Sequence, residues 1–355
     1  MSKGARVPKS RIYLDHNATA PLTAAAREAM IAAMDVVGNP SSVHAEGRAA
    51  KGLIEAARAQ VAEAFGASGA DIVFTSGATE AAGLAMAGRE LHCAGIEHEA
   101  VTAWGVADLP VDAKGRVTVG DPATSALQLA NSETGVVQDL PQGLALCDAT
   151  QGFGKIPVAF NWLGCDMAMI SAHKIGGPKG IGALVLKQGF DVAATIKGGG
   201  QEMGRRSGTE NVIGIAGFGA AAERAAQMLA DGVWERVAEM RDYLEARLEA
   251  ETTGPICVGK GADKRLPNVA SIVTEGWKGE TQVMQMDLAG FAVSAGSACS
   301  SGKVKASKVL VAMGYTDEQA ACAMRVSLGP ETTMEEIERF ADAWLAAYAR
   351  KMRAA

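Results

Sequence analysis

The chain has 355 residues, 48% of them hydrophobic and 21% charged, and its 40 acidic and 34 basic side chains give a formal net charge of -6. That length exceeds one ordinary domain, the apolar fraction supplies a substantial core, and the balance excludes extensive disorder and nucleic-acid binding through a dense basic face. The opening stretch MSKGARVPKSRIYLDHNATAP has no apolar signal core, and no apolar run approaches the ~20 residues that span a bilayer. The chain therefore reads as cytoplasmic and free of membrane. Cysteines stand at positions 93, 147, 165, 257, 299 and 322 without a C-x-x-C pair. That spacing argues against a disulfide framework and against a Cys-based zinc site, so no metal is expected.

From about residue 45 to 190, short apolar runs alternate with helix-compatible stretches, which predicts a mainly parallel sheet covered by helices. In chain order the strand candidates are DIVFTSG, ALQLANSETG, ALCDATQ, DMAMISAHK and IGALVL. Residues 215–250, rich in Ala, Leu, Glu and Arg, predict a long helical region broken near Gly232. Beyond it LPNVASIVTEG and AMRVSLGP predict strands, and Thr333 with Glu336 forms a capping box that opens a last amphipathic helix. The reading is an α/β chain. A large part spans 15–250, and a smaller α+β part is made of 1–14 and 251–355.

In open α/β sheets ligands bind beyond the carboxyl ends of the strands, so polar residues just after apolar runs are the informative ones. DIVFT is followed by Ser76, Gly77, Ala78, Thr79 and Glu80 at the start of a helix, a local arrangement that can hold an anion or simply cap the helix. ALQLA is followed by Asn131, ALC by Asp148 and Gln151, and MAMI by Ser171, His173 and Lys174. Taken singly, an aspartate at a strand end is often a cap and a lysine there a solvated side chain. Together, a lysine able to form a Schiff base, an acid able to hold a pyridinium nitrogen protonated, and a phosphate cradle are the parts that pyridoxal 5'-phosphate requires. The glycines after Lys174 clear space for such a group. His98, after another apolar stretch, supplies a flat ring that could stack on the pyridine face.

The ordered set YLDHNATAP, GNPSSVHAEGRAAK, FTSGATEA, IEHEAV, NSETG, DATQGFGKIPV, SAHKIGGPKGIGAL, GGGQEMGRRSGTENV, AGSACSSG and MRVSLGPETT resembles the cysteine desulfurases of aminotransferase class V. The resemblance implies the fold of the type I pyridoxal-phosphate transferases, like aspartate aminotransferase. It implies that Lys174 holds the cofactor and moves protons, that His98 stacks on its ring, that Asp148 pairs with the ring nitrogen, and that Gln151 meets the phenolic oxygen. Ala78, Thr79, Ser171 and His173 would hold the phosphate, with Thr209 reaching in from the second subunit of a homodimer. Arg325 would clamp the substrate carboxylate, assisted by Asn131, with Asn17 lining the same pocket. Cys299, in a Gly/Ser-rich stretch near Lys303 and Lys305, would take sulfur from L-cysteine as a persulfide, release L-alanine, and pass the sulfur to an acceptor protein such as an iron-sulfur scaffold.

The pattern departs from the family at Ala82 and Gly83, where relatives carry asparagines, in a shortened stretch over 87–123, and in NSETG for the usual N-N-E-[IT]-G. None of these removes a catalytic group. Other readings stay open at this level: selenocysteine lyase, an aminotransferase of the same class, or a silent sulfur-assembly scaffold.

Overall fold

The computed structural model describes residues 11–296 and 306–354. Its centre is a five-stranded sheet in the order Asp71–Thr75, Gly182–Leu186, Cys165–Ser171, Leu144–Asp148, Ala126–Gln128. The last three pair in parallel, whereas Gly182–Leu186 runs antiparallel to both of its neighbours, so it alone is reversed. The reversal follows from the link: residues 172–181 are too few for a parallel crossover, which needs about a dozen, and the chain turns straight back. The strand residues are apolar in nearly continuous runs because helices cover both faces of the sheet.

On one face the helices Ala45–Ala64 and Val212–Ala230 cross closely. A Cβ on Gly219 would stand 2.7 Å from the Ala57 Cα, so glycine is what permits the approach. The other face is covered by Ala78–Met86, an Ala-rich helix buried along most of its length.

A second sheet is antiparallel throughout, in the order Ser294–Ala295, Ala323–Ser327, Val269–Thr274, Pro255–Val258. Its core contains Trp277, Phe340 and Trp344, and the helix Val233–Glu251 lays Trp234, Val237, Met240, Leu244 and Leu248 into the same cluster. The long helical region does break near Gly232, which takes a left-handed φ of 68° at the start of that helix. The capping box is formed as expected: Thr333 N donates to Glu336 Oε2 at 3.0 Å and Glu336 N to Thr333 Oγ1 at 3.3 Å, opening the helix Met334–Ala354.

Residues 15–23 strap the two sheets together. Asp15 bridges to Ser327 in the small sheet, and His16 N donates to the Ser327 carbonyl. Further along, Ala20 N donates to the His173 carbonyl and Thr23 N to that of Gly176. Among the described residues no helix is long and apolar enough to cross a membrane. The cysteines at 93, 147, 165, 257 and 322 are buried and free, while Cys299 lies outside the described residues.

Candidate active site

Strand register gathers the expected residues on one edge of the central sheet. Gln128 pairs with Asp148 and Asp148 with Met169, while Ser171 pairs with Gly182 and Gly182 with Thr75. The carboxyl ends of four strands therefore face the same side. From the Thr75 strand the chain enters Ala78–Met86 through Gly77, at φ 156°, and no side chain caps the helix. Ala78 and Thr79 thus begin a turn whose N–H groups are available to an anion. Gly182 supplies the clearance there: a Cβ on it would lie 2.7 Å from the Gly77 Cα. Buried Ser171 and half-buried His173 stand at the end of the neighbouring strand. His173 Nδ1 lies 3.2 Å from Thr19 Oγ1, and burial, reinforced by the charge of Lys174, pushes the ring down to about 4, so it is neutral at physiological pH.

The strap carries the pocket's polar network. Lys174 Nζ donates to the carbonyls of Asn17 at 2.7 Å and Ala18 at 2.9 Å. Gln151 Nε2 donates to the same Asn17 carbonyl at 3.0 Å. Asn17 Nδ2 reaches the Ser132 carbonyl at 3.0 Å, and Arg325 Nη1 meets that carbonyl at 3.2 Å. Arg325 is buried and is oriented by Asp15, whose Oδ1 accepts from Nη2 at 2.9 Å. Lys174, Asn17, Gln151 and Arg325 are thus brought together by one connected set of hydrogen bonds.

Asn131 enters differently. Its Oδ1 accepts from the N–H groups of Glu133 and Thr134, both at 2.9 Å, and its Nδ2 donates to the Ile96 carbonyl at 3.1 Å. It organises the turn that presents the Ser132 carbonyl to Arg325. His98 caps a short helix, its Nδ1 accepting from Ala100 N at 3.0 Å, which places the proton of the neutral ring on Nε2. Asp148 Oδ1 accepts from Thr150 N at 2.9 Å. Thr209 is exposed on the segment that precedes the helix Val212–Ala230.

Three residues of this region were not singled out from sequence: Asp15, Glu97 and Lys155. Glu97 is buried, and burial, with the charge of Asp148 adding to it, pushes its carboxyl well above the usual carboxylate range. Its Oε1 accepts from Gln128 N at 3.0 Å, which ties it to the end of the neighbouring strand. Lys155 follows Gln151 by four positions on a tight turn, a spacing that offers the signal by which it could have been found.

The chain is 40% identical to a cysteine desulfurase of Frankia sp. (strain EuIK1), aligned over 93% of this chain and 90% of that protein. It is 36% identical to a cysteine desulfurase IscS of Dictyoglomus turgidum, over 93% of this chain and 92% of that one. Among solved structures, a NifS-like protein from Rickettsia africae matches with a TM-score of 0.87 and 33% identity, covering 96% of this chain and 100% of that chain.

The cofactor is pyridoxal 5'-phosphate, and the residues present fit it. An uncapped helix start beside a Cβ-free cradle suits its phosphate, and an amine at Lys174 suits its aldehyde. The carboxylate of Asp148, at the end of its strand, suits the ring nitrogen. The family model that matches residues 12–340 is that of the class V aminotransferases, and the chain belongs to this family.

Proposed function

We propose that this protein is a cysteine desulfurase, converting L-cysteine to L-alanine and passing the sulfur to Cys299 as a persulfide for an acceptor protein, such as an iron-sulfur scaffold. One observation carries the reading: the Lys174 amine and the Arg325 guanidinium meet the same short network through Asn17 and the Ser132 carbonyl. A carbonyl-reactive amine and a carboxylate clamp then address one small amino acid.

When bound, the cofactor supplies an electron sink for charge developing at the substrate Cα. Asp148 would keep its ring nitrogen protonated, His98 would stack against its ring, and Gln151 would donate to its phenolic oxygen. Ala78 and Thr79 would hold its phosphate with Ser171 and His173. Arg325 fixes the α-carboxylate so that the Cα proton points to Lys174 Nζ, which removes it and returns it one step later. The Cys299 thiolate would then attack the substrate sulfur: the S–S bond forms as the Cβ–S bond breaks, and the electron pair left on the carbon skeleton takes up a proton to give L-alanine.

The same reading makes the protein a cytoplasmic homodimer in which Thr209 completes the phosphate site of the other copy. Exposed apolar side chains at Ile31, Met34, Val37 and Val43, on the first helix and the loop after it, support an interface of that kind. It also keeps residues 15–250 as the cofactor-binding part and 1–14 with 251–355 as the smaller part, the helix Val233–Glu251 joining their cores.

The test is incubation with L-cysteine and dithiothreitol, following alanine and sulfide. Wild type should release both in equal amounts, and Cys299→Ala should retain its yellow cofactor band while losing sulfide release. Equal sulfide from the two proteins would remove Cys299 from its role.

A further inference from the structure

Lys155 is 2% exposed and lies beside the Lys174 pocket, yet none of the roles above uses it. Its Nζ donates to Gln151 Oε1 at 2.6 Å and to Asn17 Oδ1 at 2.9 Å. A lysine ammonium can only donate, so both partners must turn an oxygen toward it. That choice fixes the Gln151 amide, and it fixes the Asn17 amide jointly with Asn268, whose Nδ2 donates to the same Asn17 Oδ1 at 3.0 Å. Gln151 is left to point its Nε2 at the Asn17 carbonyl, at 3.0 Å, and Asn17 to point its Nδ2 at the Ser132 carbonyl, also at 3.0 Å. The Asn17 carbonyl so placed is the one that holds Lys174 Nζ at 2.7 Å.

Stability alone does not explain an amine here. The charged and titratable groups facing it are mostly basic: His16 from the strap, His173 and Lys174 from the turn after the Ser171 strand, and Arg325 from the small sheet. Glu331 is the acidic residue on the wall of the cavity of about 110 Å³ that Lys155 and Lys174 both line. Burial first, then the charges of Lys174 and Arg325, push the Lys155 amine well below the ordinary lysine range. A methionine would fill similar volume without that cost, so what the polar end accomplishes is the orientation of its two partners.

We propose that Lys155 is a positioning residue: it locks the Gln151 and Asn17 amides and thereby sets both the donor that Gln151 offers the cofactor and the seat of the Lys174 amine. This rests on the reading of Lys174 as the cofactor lysine.

The experiment compares wild type, Lys155→Met, Gln151→Ala and the double variant as holoenzymes, by the visible absorption band of the bound cofactor and the pH midpoint of its change. Loss of a donor aimed at the phenolic oxygen disfavours the deprotonated form. Lys155→Met should therefore raise the midpoint by about one pH unit. The double variant should shift little beyond the larger single effect, because Lys155 acts through Gln151. A fall in Tm with an unmoved midpoint, or shifts that add in full, overturns the proposal. Should Lys155→Met not fold, Lys155→Gln enters the same cycle with the same criteria. Wild-type protein without a visible band, or with a band that survives Lys174→Ala unchanged, would instead sink the underlying reading.

Discussion

Arg325 uses Nη1 on the Ser132 carbonyl and Nη2 on Asp15, while its buried Nε finds no hydrogen-bond partner among the described residues. A buried donor without a partner costs free energy until something supplies an acceptor, and a substrate carboxylate is such a group. Because Asp15 already holds the guanidinium plane, little orientation remains to be lost when the carboxylate arrives. Lysine at this position would keep the charge but lose the planar fork. Hydrogen bonds to charged groups contribute about 1.5–3 kcal/mol each, so Arg325→Lys should raise KM for L-cysteine about 10- to 100-fold. The cofactor spectrum should stay unchanged, and steady-state kinetics with a spectrum of the resting enzyme would check both. A normal KM would remove Arg325 from carboxylate binding. Arg325 itself was legible through MRVSLG. Its partner Asp15 was not, because the two are far apart in sequence and no local period links them.

At the level of elements, apolar runs located the strands and the Thr333/Glu336 pair located the last helix, since these signals are local and physical. The reversed strand Gly182–Leu186 was less legible, because IGALVL is apolar in either direction and only the length of the link decides. The segment around Glu202 was not legible at all. Glu202 and Met203 take φ values of 49° and 59°, a left-handed pair that side chains rarely adopt without compensation. The compensation is tertiary: the buried Glu202 carboxylate takes two bonds from Arg58, at 2.9 and 3.0 Å, and one from Phe74 N at 2.8 Å. Arg58 in turn lies over the Phe74 ring, 4.9 Å from its centroid. This anchor fixes the stretch that leads to Thr209. Glu202→Gln leaves the half-buried Arg58 charge with only the exposed Glu55 carboxylate, 3.2 Å from its Nε, and should destabilise the protein by about 3 kcal/mol in urea unfolding. A change under about 0.5 kcal/mol would show that the left-handed pair is held by something else.

For the molecule as a whole, the joint between the two sheets is the strap, and the strap has a pH dependence of its own. His16 is buried against Gly329 at the edge of the small sheet, and its Nδ1 has no hydrogen-bond partner among the described residues. Burial, with the positive charge of Lys155 adding to it, lowers the ring to about 4, against Asp15, which pulls the other way. His173, on the turn after the Ser171 strand that the far end of the strap meets, is lowered to about 4 as well, mainly by burial. The unfolded chain protonates both near 6.5 and the folded chain does not, so between these values the unfolded state binds more protons. The stability they contribute is therefore fully present above about pH 6.5 and is lost progressively as pH falls toward about 4. Asparagine at position 16 removes one of the two titrations. Unfolding of His16→Asn from pH 7 to 4 should show a shallower loss of stability on acidification than wild type, whatever its stability at pH 7. Parallel curves would mean that His16 is not the group that makes the joint acid-sensitive.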